Sequence, residues 1–239
     1  MGVLRFAAVA AATMVFYVAA AQAGTDGPAD PSLLLFAGTD IWRDGAFLDG
    51  GLLWTPSGLA TGGFTLKVLL AGGHYSYPST GLGEEVFGTL TSASLLPGWR
   101  INSGGATIDV FAGPIAQDYR LTPYDPGSQL HGRYVGGQLA SDVWYQPNQA
   151  TMIAFDGSIA SIGLIGSARL AYGWRTSEPF FVGPETQALW CVDYQQLRLG
   201  AHVTGFRING IEWTAAGGLA IESLGRAGPY IRVGVVAKY

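Results

Sequence analysis

Residues 229–239, Pro-Tyr-Ile-Arg-Val-Gly-Val-Val-Ala-Lys-Tyr, narrow the choice of fold more than any other stretch. Side chains alternate across a β-strand. Ile231, Val233, Val235, Ala237 and Tyr239 therefore share one face, and Tyr230, Arg232, Gly234, Val236 and Lys238 the other. The first face is apolar; the second carries two cations. The stretch ends on an aromatic of the apolar face, whereas the termini of globular domains usually fray. A closed barrel has a use for such an ending, because its last strand must pair with its first to remove both edges. The competing reading is an ordinary closing strand of a soluble β-domain.

The N-terminal residues point to the same compartment. Arg5 precedes an apolar run from Phe6 to Ala21, followed by Ala21-Gln22-Ala23. A cationic start, an apolar core and an A-x-A site make a secretory signal peptide. Residues 1–23 are therefore expected to be the signal, 24–32 a flexible polar lead, and 33–239 the folded domain. No later run is long enough for a spanning helix. A secreted chain without such a helix enters a membrane only as a barrel, since every backbone polar group must pair within the wall. Composition agrees. Charged residues make up 13% of the chain against 49% apolar, with 36 Gly, 7 Trp and 11 Tyr. That is about half the charge a soluble surface carries, but it suits a lipid-facing exterior with aromatic girdles. An alternating closing strand that ends in an aromatic also resembles the C-terminal signal of outer-membrane barrels.

Alternating runs with turn residues between them recur along the chain. They predict strands at Leu33–Trp42, Ala46–Trp54, Gly63–Tyr75, Glu85–Ile101, Ala106–Gln117, Gly132–Tyr145, Ala150–Ser161, Leu164–Arg175, Glu185–Tyr194, Leu197–Ile208, Ile211–Ser223 and Tyr230–Tyr239. The expected fold is all-β: a closed antiparallel up-and-down transmembrane barrel of about 12 strands, an even number as bacterial single-chain barrels have. Asn209-Gly210 is the strongest hairpin signal. With both termini periplasmic, the outer loops include Ser76–Glu84, Leu224–Gly228 and, longest, Asp118–His131. Thr176–Gly183 is the main periplasmic excursion.

A charge facing the bilayer midplane costs about 2–4 kcal/mol for Arg or Lys. Facing is thereby decided for whole strands, because a one-residue slip turns every side chain over. Lys67, Asp142, Arg169, Glu185, Asp193, Arg198, His202, Glu212, Glu222 and Arg232 are expected in the lumen. Asp49, Asp109, Asp156 and Lys238 join them. Charges of both signs there should pair and narrow the bore. Tyr119 and Tyr124 in the longest loop, and Tyr134 and Trp144 on the lumen side, are candidate polysaccharide contacts, although space-filling is the preferred reading of the last two.

Chemical motifs are few. The three histidines, His74, His131 and His202, show no metal-ligand spacing, and no acidic Ca²⁺ loop occurs. No cofactor is expected. Cys191 is the only cysteine, so an internal disulfide is impossible. The net charge of −4 leaves no nucleic-acid footprint. His202 with Asp193 or Glu185 is a candidate acid–base pair for a lipid- or lipopolysaccharide-modifying enzyme. A hydrogen-bonded structural histidine is the preferred reading, because no nucleophile motif such as G-x-S-x-G is present.

Four segments carry a resemblance: Phe36-Ala37-Gly38-Thr39-Asp40, Tyr124-Asp125-Pro126, Gly183-Pro184-Glu185 and Arg198-Leu199-Gly200-Ala201-His202-Val203-Thr204-Gly205. In their order and spacing the chain resembles the BcsS family of cellulose biosynthesis proteins, over Gly24 to Tyr239. The resemblance implies an outer-membrane barrel of a Gram-negative bacterium that works beside cellulose synthesis. Its implied partners are outer-membrane lipid, cellulose chains and the synthesis and export machinery. It implies no catalytic residue. A non-enzymatic accessory is the expectation, with a lipid enzyme using His202 and a generic small pore as alternatives.

Overall fold

The computed structural model describes residues 30–176, 180–192, 194–223 and 225–239. The expected signal peptide and the first part of the polar lead lie outside the described residues. Twelve strands form one closed antiparallel barrel in which each strand pairs with its sequence neighbours. They are β1 (Leu33–Trp42), β2 (Gly45–Trp54), β3 (Gly63–Ser79), β4 (Glu84–Ser103), β5 (Ala106–Thr122), β6 (Gly132–Asn148), β7 (Thr151–Ala160), β8 (Gly166–Arg175), β9 (Phe181–Cys191), β10 (Tyr194–Ile208), β11 (Ile211–Glu222) and β12 (Ala227–Lys238). The closing strand pairs with the first from Leu34↔Lys238 to Trp42↔Tyr230.

Burial alternates as the pleat requires. On β4, every second residue from Val86 to Leu96 is buried, while Phe87, Thr89, Thr91, Ala93 and Leu95 face outward. The outward positions are apolar or small along the middle of every strand. Among the described residues none of those mid-strand positions holds Asp, Glu, Lys or Arg. At the end bearing the chain termini, Trp54, Phe64, Trp99, Tyr145, Trp174, Phe206, Trp213 and Tyr239 are all exposed and form an outer aromatic ring. Such a band flanked by aromatics matches a bilayer in height and chemistry. The chain is a barrel of the bacterial outer membrane.

Several boundaries differ from the sequence reading, each for a local reason. β3 to β6 run past the expected ends, so that Tyr77 and Tyr119 continue the buried face to which the expected Tyr75 belongs. The longest connection is thereby reduced to residues 123–131. β9 starts at Phe181 rather than Glu185, because Gly183 and Pro184 sit within the strand, opposite His202 and Ala201. Of the expected excursion Thr176–Gly183, residues 177–179 lie outside the described residues. A short 3₁₀ turn at Ile162–Leu164 separates β7 from β8, with Gly163 and Leu164 at positive φ. β10 carries a bulge between Thr204 and Phe206, where Gly205 takes φ +88°. A bulge of this kind needs a residue free of the Cβ clash, which glycine supplies.

Both ends of the barrel turn inward. At the termini end Leu59 is fully buried, and its carbonyl accepts from Arg100 Nη1 at 3.0 Å and Asn102 Nδ2 at 3.2 Å. Residues 30–32, read from sequence as the end of a flexible lead, are tied to this plug. Pro31 accepts from Leu59 N, Asp30 from Ala60 N, and Ser32 N donates to Tyr239. At the opposite mouth the 123–131 loop folds over the opening. Asp125 is buried and accepts from the Tyr77 hydroxyl at 3.1 Å and from Gly127 N at 2.9 Å. Leu130 is also buried, and it lies close enough to Gly163 that a Cβ there would strike it.

Candidate functional site

Buried charge is concentrated in the barrel interior. Lys67, Arg100, Arg169, Arg198 and Arg232 are buried with Asp40, Asp109, Asp142, Asp156 and Glu185. Each of these five cations has a carboxylate partner, as groups taken out of water need; Asp125 and Glu222 are buried beyond them. Some pairs join neighbouring strands. Arg100 on β4 holds Asp109 on β5 in a two-bond fork at 2.8 and 2.7 Å, and Arg169 on β8 binds Asp156 on β7 at 2.6 Å. Others cross the interior. Arg198 on β10 reaches Asp40 on β1 at 2.6 Å, and Lys67 on β3 binds Asp142 on β6 while lying over the Phe111 ring.

Glu185 is the hub. Its Oε2 accepts from Arg232 Nη2 at 2.6 Å and from Arg169 Nη1 at 3.4 Å, and its Oε1 accepts from the Tyr230 hydroxyl at 2.8 Å. It therefore ties β9 to its neighbour β8 and, across the interior, to β12. Gln187 beside it accepts from both Arg232 and Arg198. Gln196 accepts from Arg198 Nε at 2.6 Å and donates to Tyr194, which in turn donates to Glu222. Glu222 continues to Arg226, and Arg226 to Asp44. This is a single chain of contacts from the barrel centre to the mouth opposite the termini. Gln187, Gln196 and Tyr230 were not singled out from sequence. The signal was available, since each lies two residues from a charge on the same strand face: Glu185, Arg198 and Arg232.

The remaining candidates sort by environment. Glu212 is partly buried at the termini end, 3.7 Å from Arg207 and 3.8 Å from Lys238. Asp49 is half-buried. Asp193 lies outside the described residues, so its pairing with His202 has no structural counterpart. His202 is 1% exposed and both its ring nitrogens are engaged. Nε2 faces the Tyr172 carbonyl at 3.2 Å, which can only accept; Nδ1 faces the Thr204 hydroxyl at 2.9 Å, itself bonded to Thr214. Glu185 gives its oxygens to Arg232, Arg169 and Tyr230 rather than to this ring. The arrangement holds the imidazole in one tautomer and offers no free nitrogen to a substrate.

Of the aromatic candidates, Trp144 is buried against Met152, Ala154, Ala171 and Phe181. Tyr119 is buried against Tyr134, edge to face at 6.1 Å. Neither ring has a face open to a sugar, which corrects their reading as polymer contacts: continued alternation draws Tyr119 inward, and Trp144 fills space. Tyr134 is half-buried, its hydroxyl bonded to the 129–131 backbone. Tyr124 alone of the four is largely exposed, at 60%, standing edge-on to the His131 ring at 5.5 Å. Among the described residues no group of His, Cys, Asp and Glu is placed to hold a metal ion.

A family model described as "Cellulose biosynthesis protein BcsS" matches residues 34–239, ten residues short of the span over which the sequence resemblance was drawn. No curated protein matches the chain. Among solved structures, the chain is similar to the β domain of the Bordetella autotransporter BrkA, at 15% identity over 88% of this chain and all of that one, with a TM-score of 0.48. It is similar to LpxR from Salmonella typhimurium, at 11% identity over 87% of this chain and all of that one, with a TM-score of 0.47. It is also similar to the KdgM porin, at 10% identity over 86% of this chain and 99% of that one, with a TM-score of 0.44. Nothing about function follows from likeness at this level.

Proposed function

We propose, from the premise that the chain belongs to the BcsS family of cellulose biosynthesis proteins, that this barrel assists the secretion or surface attachment of cellulose without catalysing a reaction. One observation carries the reading. The interior is crossed by paired charges buried from water, and buried turn residues are bonded into both mouths. A glucan conduit needs a wetted bore lined by accessible groups, and here Arg198 at the centre is 0% exposed. The same observation weighs against a generic pore. The committed nitrogens of His202 weigh against a lipid-modifying enzyme that uses it as base.

The working surface is then the mouth opposite the termini, taken to face outward. It offers the 123–131 loop, the exposed Tyr124 and the long β3–β6 wall. Cellulose chains, and the synthesis and export machinery that delivers them, are the partners proposed for it. Aromatic rings stack on the apolar faces of glucose units, and Tyr124 is presented for that contact. Deleting the gene and measuring total and surface-attached cellulose separately tests the reading. Loss of attachment with total output retained supports an anchoring role, and loss of both supports a role in secretion. Unchanged values for both would overturn it.

A further inference from the structure

The lipid-facing surface carries a charge pattern that the interior pairing does not use. The outer aromatic ring marks one edge of the bilayer band, with Trp99 on β4 and Tyr145 on β6. A strand rises about 3.3 Å per residue and tilts about 40°, so a band about 25 Å tall takes about ten residues. Ten residues from Trp99 lies Thr89, which pairs with Arg120; ten from Tyr145 lies Val135, 82% exposed. Arg133 precedes Val135 by two positions on the same outward face, further from the aromatic ring, and pairs with Asp118. Arg120, Asp118 and Arg133 thus lie on the exterior at the second bilayer edge, where lipid headgroups sit.

The geometry of the three is specific. Arg120 donates through Nε and Nη2, at 3.2 and 3.0 Å, to Oδ2 of Asp118, and Arg133 Nε lies 3.8 Å from that same oxygen. One carboxylate gathers two guanidinium groups and leaves the trio with one net positive charge. The side chains of Arg120 and Arg133 are 73% and 84% exposed. Directly below lie Val135, Ala116 and Leu139, outward and apolar.

We propose that Arg120 and Arg133 form a site for the phosphate of a membrane lipid headgroup, with the acyl chains lying on Val135 and Leu139. Guanidinium forks match phosphate oxygens in geometry and charge. Asp118 fixes the spacing of the two forks without neutralising both. The site is independent of the proposed role in cellulose export.

The test is native mass spectrometry of the full barrel released from detergent micelles. The probes are bisphosphorylated lipid A, the same lipid with its phosphates removed, phosphatidylglycerol and inorganic phosphate. A phosphate lipid should remain bound to the native protein. The Arg120→Gln/Arg133→Gln protein should retain it at least about tenfold less, two charge-assisted contacts being lost. Arg120→Lys/Arg133→Lys, which keeps the charge and loses the forks, should fall between, and heat-modifiable gel migration confirms that each variant is folded. Equal retention by the native and glutamine proteins would overturn the proposal, as would equal retention of the dephosphorylated lipid. Binding of inorganic phosphate as strongly as lipid A would make this a soluble-anion site and would overturn the lipid assignment.

Discussion

His202 Nε2 lies 3.2 Å from the carbonyl oxygen of Tyr172, two strands away. The β8–β9 register runs from Ala171↔Glu185 to Trp174↔Val182 and would set Pro184 opposite Tyr172. Proline has no N–H to give. The imidazole on β10 supplies the donor that the ladder lacks at this point. Gly183 makes room for it: a Cβ there would fall 1.9 Å from the Tyr172 oxygen. His202→Ala should therefore act on stability and not on output. It leaves a buried carbonyl unpaired and should lower unfolding stability by about 1–3 kcal/mol, read as an earlier urea transition in lipid vesicles. Cellulose yield from cells carrying the variant should match wild type. Loss of function in a folded, inserted His202→Ala barrel would revive the enzyme reading.

The same relationship shows what the sequence discloses and what it hides. Gly183-Pro184-Glu185 and Arg198…His202 are legible as segments, yet nothing in the linear order says that they are cross-strand partners. The structure pairs His202 with Gly183 and Gly200 with Glu185. Twelve strands, their order and the inward facing of Lys67, Arg169, Arg198 and Arg232 follow from period two and the cost of charge in lipid. Which charge meets which depends on the stagger of the closed sheet, and alternation carries no information on that. Hence Arg198 with Asp40, 158 residues apart, was out of reach. The extension of β3–β6 was missed because Ser76–Ser79 and Asp118–Thr122 are polar enough to read as loop, although their inward tyrosines keep the strand period.

Glu185 should be the least replaceable interior residue. Removing it takes from Arg232 its closest carboxylate, with Gln187 still in contact, and leaves the second contact of Arg169 unmade, both away from water. Breaking a buried pair by deleting one partner costs about 3–5 kcal/mol. Glu185→Ala should lose heat-modifiable migration at a lower temperature than wild type. Adding Arg232→Met should recover part of that loss, because it removes a buried cation deprived of its closest carboxylate. No recovery in the double variant would mean that Glu185 acts through Tyr230 and packing rather than through charge.

The lipid-facing assignment is checked at Leu139, which is 59% exposed and four residues below Val135, toward the aromatic ring, on β6. Leu139→Arg places a cation in the apolar band and should cost about 2–4 kcal/mol, measured by reversible unfolding in lipid vesicles. Leu139→Phe should be near neutral. If arginine cost no more than phenylalanine, this face of β6 would not be in hydrocarbon.

The last expectation concerns the mouth, and it separates a surface role from a structural one. Tyr124 is exposed beside His131, while Trp144 is buried among Met152, Ala154, Ala171 and Phe181. If polymer is held at the mouth, Tyr124→Ala should reduce surface-attached cellulose with no change in barrel stability, since little is buried when the ring is removed. Trp144→Ala should do the opposite. It opens a cavity costing about 3–5 kcal/mol, and cellulose should fall only as far as the amount of folded barrel falls. Shortening the 123–131 loop while keeping Asp125, which anchors it through Tyr77, should reproduce the Tyr124 effect more strongly. Cellulose attachment would be read by dye binding to washed cells, and folded barrel by gel migration of the same cells. If attachment per folded barrel stayed constant in both the Tyr124 and loop variants, the mouth would not be the working surface, and the role in cellulose would have to lie at the end bearing the termini.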